Sequence, residues 1–255
     1  MDKLLKIDSF SLSLCVNQAR HYILKNINLA LDSGTILSLV GQSGSGKSML
    51  AKSVLSLTEH LASCQTEGHI YLKVQGDYID IVQAKSKELR NIRNKEIGMV
   101  FQQSKESFNP AFKIGEQIKE KLILAQDLKS DEAQQKVKRT LEEVGLKPAD
   151  RFYQSYPHQL SGGQIQRSLI AMALINDPKI LIADEPSSAL DQALKKGVMD
   201  LIKKLNDKRG LTVLLISHDL KLVSAISDRI AIIDRGQIIE YGDAQKLISQ
   251  PEQSH

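Results

Sequence analysis

The hydrophobic pattern changes character along the chain. Apolar residues alternate with polar ones over residues 4–14 and 23–31, which predicts half-buried strands. Other segments are short and almost wholly apolar, as strands buried on both faces of a parallel sheet are: residues 36–40, 180–183 and 213–216. Helical spacing separates these buried segments. The pattern therefore predicts an α/β protein built on a wound parallel sheet.

Helical spacing dominates the middle of the chain, and strand signals are absent between about residues 103 and 176. The predicted helices there cover residues 117–126, 131–144 and 163–175. Ser130 is the candidate N-cap of the second helix, and Gly145 ends it. Beyond the last buried segment we expect two strands and a closing helix: 230–233, 237–240 and a helix from Asp243. We interpret the middle as a helical insertion in the α/β core.

These patterns predict one domain over residues 1–250. Residues 1–102 and 177–250 would form the α/β core with an N-terminal antiparallel β subdomain, residues 103–176 the insertion, and 251–255 a short tail. A chain of 255 residues with 42% hydrophobic residues is long enough for this arrangement.

Composition excludes several classes of function. The net charge of +4 is small and its charges are interspersed, so charge argues neither for nor against a nucleic-acid partner. Cys15 and Cys64 are the only cysteines, which fits neither a disulfide framework nor a zinc site. We find no signal-peptide pattern and no apolar run near the roughly 20 residues that span a bilayer.

A glycine-rich loop follows the first buried segment. It fits the phosphate-loop pattern G-x-x-x-x-G-K-[ST] and reads Gly41, Gln42, Ser43, Gly44, Ser45, Gly46, Lys47, Ser48. The strand before it and a predicted helix over residues 47–57 supply the context that this motif requires. Its N–H groups would form an anion nest at a helix N-terminus. Lys47 would reach the β- and γ-phosphates, Ser48 would ligate Mg²⁺, and we include Met49 among the nucleotide-binding residues.

Polar residues follow the other buried segments. Asp184 stands where a carboxylate can hold Mg²⁺ through its water, and Glu185, pointing the other way, would act as general base on the attacking water. His218 follows the segment 213–216, where it would lie near the γ-phosphate. Gln102 ends the apolar run 99–101 and is a candidate contact to the metal or the attacking water.

Residues 160–164 read Leu-Ser-Gly-Gly-Gln. By itself this segment suits an ordinary helix start, because Ser161 is a good N-cap and two glycines favour a turn. Its weight depends on the other motifs and on their order along the chain.

Taken together, the motifs resemble those of the ATP-binding subunits of ABC transporters. They occur in the family's order: residues 41–48, Gln102, residues 160–164, Asp184 with Glu185, Ser188-Ala189-Leu190-Asp191, and His218. Two further segments resemble the oligopeptide, dipeptide and nickel importer branch: Phe101-Gln102 followed by Ser107-Phe108-Asn109-Pro110, and Tyr156-Pro157-His158-Gln159.

The resemblance implies a RecA-like α/β core and Mg²⁺-dependent ATP hydrolysis. It implies that one group of residues contacts ATP held by a second ATPase subunit, either an identical copy or a paralogue: Ser161, Gly162, Gly163, Gln164 and Asp191. Residues 102–110 and the helical insertion would dock a cytoplasmic helix of a membrane-spanning subunit. The further implied partners are two such permease subunits and an extracytoplasmic substrate-binding protein, with the chain at the cytoplasmic face of the inner membrane and no nucleic acid.

The chain departs from the family pattern in places. No aromatic residue occupies residues 14–18, where the family usually stacks a ring on adenine, so Tyr22 is the candidate for that role. The importer branch often has Met or a similar residue at the position of Gln164. Its members usually continue past a Pro-x-x-His segment, some with clustered cysteines, so we expect no iron–sulfur cluster after Pro251.

Other functions share parts of this pattern. An ABC exporter or lipoprotein-releasing ATPase would have every catalytic residue and remains the alternative, although residues 107–110 and 156–159 disfavour it. A DNA-repair ABC ATPase would need a long coiled coil between Ser48 and Leu160, where no sustained heptads occur. ABC proteins of translation usually carry two such domains. The cargo, peptide or nickel, is not encoded in this chain.

Overall fold

The computed structural model describes residues 2–16, 19–58, 63–102, 107–126, 128–188 and 190–249. The chain folds into two compact units, one made of residues 1–93 and 205–255 and the other of residues 94–204. The predicted division at residues 102 and 177 stays a prediction, and the predicted tail 251–255 lies outside the described residues.

In chain order the first unit contains β1 (Lys3–Val16), β2 (Ala19–Asp32), β3 (Ile36–Val40), α1 (Lys47–Val54), β4 (Cys64–Val74), β5 (Asp77–Asp80) and α2 (Ser86–Asn91). The second unit contains β6 (Ile97–Val100), α3 (Ile114–Ala125), α4 (Ser130–Glu143), α5 (Ala149–Gln154), α6 (Gly162–Leu174), β7 (Ile180–Asp184) and most of α7 (Gln192–Arg209). The chain then returns to the first unit with β8 (Thr212–Ser217), α8 (Leu220–Ser224), β9 (Arg229–Asp234), β10 (Gln237–Asp243) and α9 (Ala244–Ser249).

The first unit begins with an antiparallel sheet in the order β2-β1-β4-β5. Alternate residues of β1 are buried, among them Leu5, Ile7 and Leu12, because one face of the sheet packs on the core. The predicted antiparallel β subdomain is therefore present, and the alternation over residues 4–14 and 23–31 does mark its first two strands.

A second sheet in the first unit places β3 between two parallel neighbours, β8 and β9, with β10 antiparallel to β9. Every residue of β3 and β8 is buried, as their largely apolar sequences predict. Val40 at the end of β3 pairs with Ser217 at the end of β8. The glycine-rich loop and His218 therefore start from the same edge of this sheet.

In the second unit, α3, α4 and α5 form a helical layer with α6, and β6 pairs in parallel with β7. Gly98 of β6 lies so close to α6 that a Cβ there would come within 2.4 Å of the Ala173 carbonyl oxygen. Val100 pairs with Ala183, so Gln102 and the acidic pair leave the same edge of this strand pair.

Several boundary predictions need correction. The closing helix begins at Ala244, because Asp243 still belongs to β10. Helix α4 includes Ser130, and Lys129 occupies the N-cap position without a side-chain bond, so the predicted cap is wrong by one residue. The strand before Gln102 ends at Val100, and Phe101 lies beyond it with 42% of its surface exposed. Gly145 ends α4 as predicted, with a φ of +83° that suits the residue after a helix.

Candidate functional site

The glycine-rich loop adopts a backbone that only glycine tolerates at several positions. Gly44 and Gly46 have φ values of +82° and +106°. A Cβ on Gly41 would lie 2.2 Å from the carbonyl oxygen of Ile233, and one on Gly46 would lie 2.8 Å from Cδ2 of Leu24. Close packing against β9 and β2 therefore fixes the path of the loop within the first unit.

The turn between β9 and β10 anchors the loop. The N–H of Gly236 donates to the carbonyl of Ser45 at 3.0 Å, and the N–H of Lys25 donates to the carbonyl of Gly236 at 2.7 Å. This chain of backbone bonds connects the loop to β2 through one turn residue. Gly236 thus supports the loop, and sequence motifs give no signal for it, because its contacts are to residues far away in sequence.

Lys47 is held inside the loop. Its ammonium group donates to the carbonyl oxygens of Gly41 and Gln42, both at 2.7 Å, and only 5% of the residue is exposed. Helix α1 starts at the same residue. Its N-cap is Gly46, which has no side chain to bond the N–H groups of the first turn. Main-chain N–H groups and a positive charge thus lie together at a helix N-terminus, an arrangement suited to phosphate.

His218 follows β8 and is exposed. The next residue, Asp219, caps α8 by accepting from the N–H of Leu222 at 3.0 Å, and its own N–H donates to Oγ of Ser217. These bonds fix the backbone on both sides of the histidine. The backbone position of His218 is therefore fixed at the sheet edge where the glycine-rich loop also begins.

The second unit brings Gln102 and Glu185 together. Nε2 of Gln102 donates to Oε2 of Glu185 at 3.3 Å. Asp184, the last residue of β7, is 3% exposed, whereas Glu185 is half-buried and has a φ of +46°. A left-handed backbone at a residue other than glycine is unfavourable and is often retained for function.

Residues 161–164 start helix α6 through a capping box. The hydroxyl of Ser161 accepts from the N–H of Gln164 at 3.4 Å, and Oε1 of Gln164 accepts from the N–H of Ser161 at 3.0 Å. Ser161 is exposed, while Gly163 is buried. The ordinary capping role is therefore real, and it leaves an exposed serine at a helix N-terminus.

Asp191 performs the same local task for α7. Its Oδ1 accepts from the N–H of Leu194 at 3.0 Å. A Cβ on Gly163 would lie 3.2 Å from Cδ2 of Leu194, so the starts of α6 and α7 are in contact within the second unit. Ala189, two residues earlier, lies outside the described residues.

Tyr22 lies on β2 with 41% of its surface exposed. The guanidinium carbon of Arg20 lies 4.7 Å from the centre of its ring. Residues 17 and 18, part of the usual adenine-stacking position, lie outside the described residues. The adenine contact of Tyr22 stays a prediction.

Oxygen donors that suit Mg²⁺ are present among the predicted residues. Ser48 offers a hydroxyl, Gln102 an amide oxygen and Asp184 a carboxylate. Within the described residues, no group of three or more His, Cys, Asp or Glu side chains could form a metal cage. Mg²⁺ usually binds through one or two carboxylates together with substrate phosphates and water, so this donor set fits it.

A shallow apolar pocket of about 290 Å³ runs along α3 in the second unit. It is lined by Phe112, Glu116, Gln117, Lys119, Glu120, Ile123 and Leu124. Leu124 is 77% exposed and Phe112 58% exposed, which is unusual for large apolar side chains. The hydrophobic pattern by itself gave no signal for this surface, because apolar residues on a helix normally indicate core. Only the family resemblance implied a docking surface on the helical insertion.

Comparison with known proteins decides the family. The model of the ABC transporter family matches residues 24–188, well over half of the chain. The chain belongs to the ABC transporter family. It is an ABC ATPase, and the resemblance drawn from its motifs is confirmed.

Relatives of this ABC ATPase include import proteins. It is 35% identical to the oligopeptide transport ATP-binding protein OppD of Bacillus subtilis (strain 168), over 98% of this chain and 68% of that protein. It is 36% identical to the peptidoglycan transport ATP-binding protein YejF of Agrobacterium fabrum, and 33% identical to the glutathione import ATP-binding protein GsiA of Escherichia coli (strain K12). The chain spans only 45% and 40% of the lengths of those two proteins.

Solved structures of ABC cassettes share the fold. The dimeric post-hydrolysis state of the cassette MJ0796 bound to ADP and Pi has a TM-score of 0.81 at 31% identity, covering 94% of this chain and 98% of that one. The cbiO1 protein of Clostridium perfringens, at 24% identity, matches with a TM-score of 0.82 over 99% of this chain and 93% of its own. The predicted α/β cassette with its β subdomain and helical insertion is confirmed. In the described part of the chain, no helix is long and apolar enough to cross a membrane.

Proposed function

We propose that this ABC ATPase hydrolyses ATP as half of a dimer and drives a membrane importer of peptides. The observation that carries the catalytic part is the bond between Gln102 and Glu185, made from a left-handed backbone at Glu185. The import part is supported by the relatives, whose names specify oligopeptides, glutathione and peptidoglycan.

Nucleotide would bind at residues 41–48. The N–H groups of the loop and of the first turn of α1 would hold the phosphates, and Lys47 would turn from the carbonyls of Gly41 and Gln42 to the β- and γ-phosphates. Met49 would continue this contact along α1, and the ring of Tyr22 would stack on adenine. The loop backbone would keep its path when nucleotide binds, because Gly41 and Gly46 are packed closely against neighbouring strands.

Hydrolysis would use a base and a positioned histidine. Glu185 would accept a proton from the attacking water, and Gln102, already bonded to that carboxylate, would orient it. His218 would contact the γ-phosphate. Ser48, Asp184 and Gln102 would hold Mg²⁺, which would neutralise phosphate charge when bound.

A second copy of this chain would complete each site. The N-terminus of α6, with the exposed Ser161, the flanking Gly162 and Gly163 and the capping Gln164, would contact ATP on the partner, and Asp191 would follow the same interface. One chain carries both the phosphate loop and this segment, so two identical chains would form two sites. The dimeric state of the MJ0796 cassette supports this arrangement.

The pocket on α3 would receive a cytoplasmic helix of a permease subunit. Exposed Phe112, Ile123 and Leu124 offer apolar contact, and Glu116, Lys119 and Glu120 form a charged margin around them. This combination of an apolar centre and a polar rim is typical of protein interfaces. Such docking would keep the chain at the cytoplasmic face of the membrane, with a substrate-binding protein on the other side.

Uptake measured in the organism that carries the gene tests the import function. Cells that express the Lys47→Ala variant in place of the parent should lose uptake of labelled oligopeptides, because the variant lacks the phosphate-binding ammonium. The Lys52→Ala variant, changed on the same helix α1, is the matched control and should take up peptides normally. If the Lys47→Ala cells lose nickel uptake but keep peptide uptake, the cargo is a metal and not a peptide. Normal uptake of both would contradict the proposal.

A further inference from the structure

Arg167 of α6 binds two other helices of the second unit. Its Nη1 donates to the carbonyl oxygen of Val144 at 2.7 Å, and its Nη2 donates to that of Gly197 at 3.3 Å. Val144 is the C-cap of α4, where carbonyl groups lack partners and a positive charge is favoured. Gly197 lies inside α7. One side chain therefore connects α6 to α4 and to α7.

Glycines make room for this side chain at both ends. A Cβ on Gly145 would lie 2.9 Å from Nη1 of Arg167, and one on Gly197 would lie 3.4 Å from Nη2. Glycine in a helix interior costs about 1 kcal/mol relative to alanine. Gly197 therefore lowers the intrinsic stability of α7 at the point where the guanidinium contacts the backbone.

Arg167 extends a line of contacts between α6 and α7 that begins next to residues 160–164. Gly163 touches Leu194 at the start of the two helices, and Arg167 reaches Gly197 one turn further along both. Residues three or four apart lie on one helix face, so the two contacts share that face on α6 and on α7. Ser161 precedes this line of contacts on α6, and Asp191 precedes it on α7.

We infer that Arg167 is a positioning residue that holds the start of α6 and the start of α7 in one fixed arrangement, so that Ser161 and Asp191 meet the partner's nucleotide together. The inference rests on the proposed ATP-bound dimer. A guanidinium can satisfy two carbonyls on different helices through its planar fork, whereas a lysine ammonium acts as a point charge and cannot span both.

The test compares Arg167→Lys with Arg139→Lys, an exposed arginine of α4 in the same unit, both in a Glu185→Gln background. Sedimentation gives the protein concentration at which ATP drives half of the chains into dimers, and nucleotide titration of the dilute monomer gives ATP affinity. Arg167→Lys should raise the dimerisation concentration about ten-fold, since a charge-assisted hydrogen bond is lost, with monomer ATP affinity unchanged. Arg139→Lys should change neither quantity.

Two results would overturn the inference while leaving the proposed function intact. One is dimerisation of Arg167→Lys at the parent's concentration. The other is a matched loss of monomer ATP affinity and of thermal stability, which would make Arg167 a support of the fold alone. Failure of the Glu185→Gln parent to dimerise with ATP would instead contradict the proposed function, and the inference with it.

Discussion

Glu185 combines backbone strain with a directed hydrogen bond. A φ of +46° at a glutamate costs on the order of 1–3 kcal/mol, and the side chain accepts from Gln102. The neighbouring Asp184 is buried at the end of β7. The two carboxylates therefore have different surroundings, which suits the different roles that we propose for Asp184 as a metal ligand and for Glu185 as a general base.

Changing Glu185 to Gln keeps the shape of the side chain but removes the carboxylate that we propose as the general base. Turnover of ATP should fall at least about 100-fold, the lower end of what general-base catalysis contributes, while ATP affinity stays unchanged. Steady-state phosphate release and nucleotide titration measure the two quantities. Glu132→Gln, an exposed change on α4 in the same unit, should leave both at the parent's values. Normal turnover in the Glu185→Gln variant would remove Glu185 as the base.

At the scale of the element, the N-terminus of α6 serves as a helix cap and as a candidate phosphate contact. The capping box uses the hydroxyl of Ser161 and the side chain of Gln164. A substitution by alanine would impair both roles at once and could not separate them. Aspartate separates them, because it caps helices as well as serine does but would face the γ-phosphate with a negative charge.

Two variants of Ser161 should therefore differ in their free energy of unfolding but show the same loss of ATP turnover. Ser161→Ala should lower the free energy of unfolding by about 1 kcal/mol, and Ser161→Asp should leave it close to that of the parent. Both should lose most ATP turnover while the isolated chain keeps its ATP affinity. Denaturant titration and phosphate release test this pair. Retained turnover in Ser161→Asp would show that the segment acts only as a cap.

At the scale of the whole molecule, the two units carry different parts of the chemistry. The first unit holds the phosphate loop with Lys47 and the exposed His218. The second holds Gln102, Glu185 and the start of α6. The apolar surface of α3, which we propose as the docking site, also belongs to the second unit. We expect events at the membrane to reach hydrolysis through that unit.

The motifs could be predicted from sequence because their chemistry is local. Residues 41–48 and the largely apolar strands β3 and β8 specify their own structure. Contacts between distant segments left no such signal: Gly236 beneath the loop and Arg167 across three helices depend on packing. Helical spacing predicted a helix between the segments 180–183 and 213–216, but not its limits. The apolar positions of α7 are interrupted by lysines and by Gly197, and its start depends on the Asp191 cap. Polar residues over 65–69 likewise masked β4.

The central claim is that each chain supplies half of an ATP site, and sedimentation of the Glu185→Gln variant tests it most directly. With ATP and Mg²⁺ the variant should form dimers that retain one ATP per chain, and without nucleotide it should remain monomeric. The same variant with Ser161→Asp added should still bind ATP and stay monomeric. Chains that bind ATP yet remain monomers with Ser161 intact, or dimers that are indifferent to Ser161→Asp, would contradict the account.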